Sequence, residues 1–391
     1  MKRFTIQIFS IIFLASCTMD KPDVNPPITE QDDLVETLHG VEVADPYRWL
    51  EDFTSDRAAT WEQLQNDYTA QFIQQTKLKR AIKNDLEEIW DGESISTPYV
   101  QNGNTFYYYN EGEWQHSKLM MKSCITDCAA EVLIDPNTFS EDGTFSLGGT
   151  SISPDGKLIA YAVSDGGSDW RTWYVMDIAS RELLPDVIEW SKFSGAVWAK
   201  DNSGFYYQRY DTPEEELLVD INEQPKLMFH TLGTNQIDDT IIYENPAQPR
   251  WGWSISISEN NAYKILSISD GTEEKNRVYI QTTDSNEFLP VIDELIGEYA
   301  YLTSLDNVLF FYSTENASNG KVVTLTIQDG AFVWNDLIAE SMLPIRSVNI
   351  INKKILVTYM VDTLSKVKTF DLNGSCLGDF QFAEAGTIGG F

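Results

Sequence analysis

Histidine is nearly absent from this chain: His39, His116 and His230 are the only 3 among 391 residues, and cysteine numbers only 4. So few imidazoles and thiols leave little material for a metal centre, and none of the histidines stands at ligand spacing from another. Cations are scarce as well, with 28 Lys and Arg against 60 Asp and Glu and a formal net charge of −32. Nucleic-acid recognition needs clustered cations on phosphates, and this balance excludes it. The excess acid reads first as a solvated, self-repelling surface, with a field that draws in cationic peptides as the sharper alternative.

Catalytic motifs are missing too. A serine-hydrolase elbow needs G-x-S-x-G on a strained strand-to-helix turn. The nearest stretch, Gly166-Gly167-Ser168-Asp169-Trp170, lacks the closing glycine and lies between strand-like runs. There is no phosphate-binding Walker loop, no H-E-x-x-H, and no Rossmann fingerprint after a strand. A triad built on any of the three histidines finds no nucleophile in a supporting context. His230, in LMFHTLGT, reads as a satisfied structural histidine, and Glu214-Glu215-Glu216 as a solvated loop rather than a general-acid pair. The chain is therefore expected to carry no catalytic machinery, no metal and no cofactor.

What is present begins with an export-type N-terminus. Met1-Lys2-Arg3 is a positive n-region, and Phe4 to Ala15 is mostly apolar but interrupted by Gln7. About a dozen residues cannot span a bilayer, which takes about 20. Leu14-Ala15-Ser16-Cys17 follows and resembles the lipobox of bacterial lipoproteins, which makes Cys17 the expected site of lipidation and an envelope lipoprotein (periplasmic or outer-membrane-anchored) the expected location. A chance cysteine behind an ordinary signal is the alternative. Residues 1–17 are then the signal with its lipobox, and the polar, proline-bearing residues 18–33 a tether.

Cys124 and Cys128, in KSCITDCAA, lie between two strand-like runs. After export a hairpin-closing disulfide is feasible there; two free thiols are the other reading, and a metal site would need two further ligands. Cys376 is left over and is expected to be buried.

Helical periodicity is confined to the region before Ser96. In ADPYRWLED, Tyr47 and Trp49 are expected to anchor the segment, and Thr54 or Ser55 to cap a helix whose Trp61, Leu64, Tyr68 and Phe72 share one face. A second helix is expected over Leu78 to Trp90. Beyond Ser96 the pattern changes to short β-branched and aromatic runs broken by turns such as Pro154-Asp155-Gly156 and Asp201-Asn202-Ser203-Gly204. The runs come in groups beginning near Thr97, Ser151, Ala196, Ser254, Tyr301 and Ser347, a period of roughly 45 to 55 residues that matches a β-propeller blade. A further group is expected to open at Gly386-Thr387-Ile388. The fold class expected is mainly β, an incomplete seven-bladed propeller of about six blades over residues 96–391, preceded by a helical segment over 34–95.

Taken in order, ADPYRWLED, LGGTSISPDGKLIAY, GGSDWRTWYVMD, KFSGAVWAKDNSGFYYQRY and MFHTLGTNQIDD resemble the prolyl oligopeptidases, a family of serine peptidases. The resemblance runs from about Leu34 to Phe391. It implies a seven-bladed propeller that restricts a C-terminal α/β-hydrolase domain to short proline-containing peptides, with the N-terminal helices packed on that domain. It also implies that Phe193, the phenylalanine of KFS, reaches toward the substrate pocket; an aromatic of a blade core is its other reading. The expected partners are thus short proline-containing peptides, the absent hydrolase domain, and a membrane through the lipid anchor. This sequence departs from the family in ending before any triad residue. The expectation is an N-terminal, inactive portion of such a peptidase; the alternative is a stand-alone lipid-anchored propeller that binds peptides or proteins without cleaving them.

Overall fold

The computed structural model describes residues 25–74, 77–213, 222–328, 330–384 and 386–389. The lipobox with Cys17, and Glu214 to Glu216, lie outside the described residues. The chain divides into two compact units, one up to Gly92 and one from Glu93.

In the first unit, β1 (Val35–Leu38) and β2 (Val41–Ala44) pair antiparallel around His39 and Gly40, both at positive φ (54° and 83°). Two left-handed residues in succession match the twist of a tight hairpin. Helix α1 (Asp56–Gln74) starts on Ser55, whose Oγ accepts the Ala58 N–H at 3.2 Å and so satisfies one of the orphan donors of the first turn. Trp61 on α1 meets Trp49 edge-on at 6.5 Å, and its Nε1 donates to Thr29 Oγ1 at 2.9 Å. Arg57 ties the same corner together, stacked 4.1 Å over Trp49 and paired with Asp32 at 2.9 Å. On the expected apolar face Trp61 and Tyr68 are half-buried, whereas Leu64 and Phe72 are exposed. Helix α2 (Lys77–Trp90) carries Leu78, Ile82, Leu86 and Ile89 at spacings of four, four and three, one continuous stripe, and every one of them is exposed.

Among its described residues the second unit is built of β-strands, with two short 3-10 turns at Pro136–Thr138 and Gln236–Asp238. Its first sheet joins β3 (Ser94–Ile95) and β4 (Tyr99–Gln101) to β5 (Asn104–Asn110), then β6 (Lys118–Lys122) and β7 (Glu131–Ile134). Next come β8 (Ser146–Ile152), β9 (Leu158–Ser164), β10 (Trp170–Asp177) and β11 (Leu183–Lys192). They are followed by β12 (Val197–Trp198), β13 (Gly204–Arg209), β14 (Lys226–Thr231) and β15 (Thr240–Tyr243). These two groups are joined into one sheet by the single partner pair Ser191↔Arg209. Three separate four-stranded sheets complete the unit. They are β16 (Trp251–Ile257) with β17 (Tyr263–Asp270), β18 (Arg277–Thr282) and β19 (Leu289–Ile292); β20 (Tyr299–Leu305) with β21 (Val308–Ser313), β22 (Lys321–Gln328) and β23 (Ala331–Ile338); and β24 (Ile345–Ile351) with β25 (Lys354–Val361), β26 (Leu364–Phe370) and β27 (Cys376–Asp379).

All of these pairings are antiparallel, and all but β3–β5 and β11–β13 join strands consecutive in sequence, which is what the short turns between the runs allow. Each sheet buries a face against the next. Phe106 and Leu119 meet Ile159 and Tyr161; Trp173 and Ile188 meet Phe205 and Tyr207; Tyr206 and Leu227 meet Trp253 and Leu266. Farther along, Val278 and Ile280 meet Leu309 and Phe311, and Phe310 and Val322 meet Ile355 and Val357. Such radial repetition of small meanders is a β-propeller arrangement.

Two expectations need correction. Cys376 is exposed, because it lies on β27, the outer edge strand of its sheet, where all four residues face solvent. The run anticipated to open a new strand at Gly386 forms none over 386–389; instead Gly386 O accepts the Ser365 N–H and Ser365 Oγ accepts the Ile388 N–H, both at 2.9 Å. Cys124 and Cys128 are disulfide-bonded, with their Cα atoms 5.9 Å apart in the β6–β7 connection.

Candidate functional site

Phe193 directly follows β11, and its backbone turns into the left-handed region at φ 55°; Trp190 does the same at φ 59°. Bulky side chains accept that conformation at a cost of about 1–3 kcal/mol each, so the surroundings must hold it. They do so at several points. The Trp190 carbonyl accepts the Tyr210 N–H at 3.0 Å, and the Trp170 ring stands edge-on to both Trp190 (5.7 Å) and Tyr210 (6.0 Å). The Lys192 ammonium lies 4.8 Å over Trp170 and 5.3 Å over Phe193. Gln208, buried on β13, accepts the Trp253 N–H on its Oε1 at 2.7 Å, while its Nε2 donates to Lys192 O at 3.1 Å. Its own N–H donates to Ser194 Oγ at 2.9 Å. One buried amide thereby pins the Phe193 corner to β13 and β16.

The result is that Phe193 stands 62% exposed, outside any of the sheet-to-sheet cores, on the wall of a cavity of about 640 Å³. Gly252 and Trp253 from β16, Ser267 and Ser269 from β17, and Tyr210 line its interior, with Arg250 and Glu223 among the lining groups. A side chain at position 252 would bring Cβ to 2.8 Å from Ser269 Oγ, so glycine keeps this part of the wall open. Burial pushes the Tyr210 phenol above its usual range, leaving it a neutral donor. Aromatic faces beside a few placed polar groups suit an extended peptide with apolar side chains. The Ser254, Ser267 and Ser269 hydroxyls that line the cavity make no hydrogen bond to a histidine, and no such nucleophile–base pair exists among the described residues.

His230 is fully buried, far from any such work. Nδ1 meets Asp239 Oδ1 at 2.7 Å and Nε2 meets Asp186 Oδ1 at 2.9 Å. Tyr207 Oη donates to the other Asp239 oxygen at 2.7 Å, and the Gly233 N–H donates to Asp186 Oδ1 at 2.6 Å. With a carboxylate at both nitrogens, the ring is held as an imidazolium. Burial by itself would lower its pKa, but the hydrogen bonds and charges of Asp239 and Asp186 raise it. His116 Nε2 donates to Gly143 O at 2.8 Å, and this ring is likewise taken up in structure. Among the described residues no group of three or more His, Cys, Asp and Glu is arranged to hold a metal ion.

Phe193 was legible in the sequence through its motif. Gln208, Arg250, Gly252 and Trp253 were not, because they reach the cavity from places 15 to 60 residues on in the chain, and Gln208 and Trp253, which bond each other, are themselves 45 residues apart. No local spacing reports such a contact.

The sequence matches the family described as prolyl oligopeptidase, N-terminal β-propeller domain, over residues 26–391. It is 32% identical to a prolyl endopeptidase of Elizabethkingia miricola, with 100% of this chain and 55% of the relative covered, and 30% identical to one of Elizabethkingia meningoseptica over the same shares. Among solved structures it superimposes on prolyl oligopeptidase B of Galerina marginata bound to a 35mer hydrolysis and macrocyclization substrate, with a TM-score of 0.81 and 26% identity, covering 93% of this chain and 54% of that one. The chain thus spans about half the length of the curated relatives it matches. With this match along nearly all of its length, and a propeller built sheet on sheet as described, the chain belongs to the prolyl oligopeptidase N-terminal β-propeller family.

Proposed function

We propose that this chain is the non-catalytic N-terminal portion of a prolyl oligopeptidase-type serine peptidase, a propeller that admits short proline-containing peptides to a triad supplied by a C-terminal α/β-hydrolase domain. The observation that carries the reading is the family match over 26–391 together with the exposed Phe193 on its cavity. The stripe Leu78, Ile82, Leu86 and Ile89 on α2 supports the second domain, since a row of exposed apolar residues at helical spacing is a surface suited to cover by another element. In this reading Phe193 packs on a substrate side chain, and the strained corner holds it ready.

Two measurements test it. The purified chain is expected to give no serine-inhibitor-sensitive turnover of a Gly-Pro-linked chromogenic peptide, while a proline-containing octapeptide quenches its tryptophan fluorescence saturably. Phe193→Ala is expected to weaken that binding about tenfold, roughly 1.4 kcal/mol, as expected for losing about half of a buried ring. Inhibitor-sensitive turnover by the chain alone would sink the non-catalytic reading; unaltered binding by the variant would remove Phe193 from the site.

The envelope location rests on Met1 to Cys17 alone. In the same reading Cys17 carries the lipid. Expression in a bacterial host with labelled palmitate is expected to label the protein, and Cys17→Ser to abolish the label. Equal labelling of both would overturn the assignment.

A further inference from the structure

Strand β17 runs between two different pockets. Its C-terminal half, with Ser267 and Ser269, lines the Phe193 cavity; its N-terminal residue Lys264 lines a second pocket of about 240 Å³ at the other end of the strand. This second pocket is bounded by Ala199 to Ser203 between β12 and β13, Asn261 between β16 and β17, and Thr282 at the end of β18 with Thr283, Ser285 and Asn286 of the connection to β19.

Of the two lysines that line this pocket, Lys264 is the one with no carboxylate partner among the described residues, in a chain whose acidic residues outnumber basic ones 60 to 28. The neighbouring Lys200 pairs with Glu259 at 3.2 Å. Lys264 forms no ion pair among the described residues; its Nζ donates to the neutral Gln281 Oε1 at 3.0 Å and lies 5.5 Å from the Tyr206 ring. An ammonium has three donors, so two remain. Beside it the side chains of Thr282, Thr283 and Asn286 make no hydrogen bond to the described residues. Gln281, the cross-strand neighbour of Lys264, is buried and fixes the ammonium in place. Burial also holds the Lys264 ammonium below the ordinary lysine range, the mark of a partly desolvated cation with no ion-pair partner among the described residues.

We propose that this pocket is a binding site for a small monoanionic carboxylate, held on the Lys264 ammonium and the hydroxyls of Thr282 and Thr283. The single charge follows from Asp201 on the same wall. Its Oδ1 is engaged by the Ser203 N–H and hydroxyl, which hold its carboxyl below the usual carboxylate range and keep it ionised. A dianion such as phosphate faces twice the repulsion from that carboxylate that a monoanion does.

The test is a titration of the ¹⁵N-labelled full chain with acetate, at ionic strength held constant with chloride. Saturable shifts are expected in the amides of residues 199–203 and 282–286. Lys264→Met should raise the apparent Kd at least tenfold and Thr282→Val at least threefold, with near-UV circular dichroism confirming the fold; should Lys264→Met not fold, Thr282→Val decides. Inorganic phosphate at pH 7.5 is expected to bind more weakly than acetate. Non-saturating, chloride-like shifts, or an acetate affinity that survives both substitutions, would overturn the site, and tighter binding of phosphate would overturn the carboxylate assignment.

Discussion

Replacing His230 by alanine is expected to cost about 3–5 kcal/mol of folding stability, the range for breaking a buried charge network on one side only. The imidazolium lies between Asp186 and Asp239, and all three side chains are sealed from solvent. Its removal leaves two carboxylates facing each other across a cavity, one of them already with a buried unpaired oxygen, Asp186 Oδ2. The network also spans a weak seam. Asp186 belongs to β11 and His230 to β14, yet the two strand groups share only the pair Ser191↔Arg209. Urea unfolding followed by circular dichroism measures the cost, and a loss below about 1 kcal/mol would show that the network is dispensable. The same residue sets a pH dependence. Because its folded pKa lies above the ordinary histidine value, its contribution is fully present below about pH 6.5 and is lost as pH rises through the raised folded value. The wild-type urea midpoint should therefore fall as pH rises above the ordinary histidine value, and this component should vanish in His230→Ala.

Trp173→Ala is expected to be of similar size, about 3–5 kcal/mol. Trp173 is 1% exposed at the centre of the cluster that joins Ile188 to Phe205 and Tyr207, and it is among the largest fully buried side chains. Its ring also covers Gly149, where an added Cβ would stand only 3.1 Å away, so β8 has been built to fit it. Truncation opens a cavity that flanking strands cannot close. It also deprives the buried Ser191 hydroxyl of the indole Nε1, which donates to it at 3.2 Å, on the very residue that links the two strand groups. Native-state hydrogen exchange should show β10 to β14 losing protection together. Unfolding free energies within about 1 kcal/mol of the wild type would mean that the cluster repacks. Because Phe205 packs on His230 and lies in one cluster with Trp173, and Tyr207 of that cluster bonds Asp239, the double variant is not expected to be additive.

The repeat of the propeller was open to reading from the sequence because its determinants are local. Alternation of apolar and polar residues places one face of each strand inward, and Asp-, Asn- and Gly-bearing turns such as 154–156 and 201–204 reverse the chain between them. The first strands begin at Ser94, Ser146, Val197, Trp251, Tyr299 and Ile345, within about five residues of where the apolar runs begin to alternate. Helix α1 declared itself through Ser55 and the face carrying Trp61, Leu64, Tyr68 and Phe72 at i, i+3, i+7 and i+11 for the same reason. Exposure was less legible. Cys376 reads as a buried small apolar residue until β27 is known to be an edge strand, and edge position depends on what the other strands do, not on any neighbour in sequence.

The site divides along the same line. The sequence by itself determined the strand repeat, the two helices, the absence of a nucleophile elbow, and, through KFSG, the residue that stands on the cavity. Tertiary structure alone decided that Phe193 is exposed at a strained corner, that Gln208 holds this corner to β16, that His230 bridges two carboxylates, and that Lys264 forms no ion pair among the described residues. Each of these depends on groups brought together from separate strands. A side chain's solvation and charge partners belong to the packed arrangement of those strands, whereas turns and alternation belong to the chain.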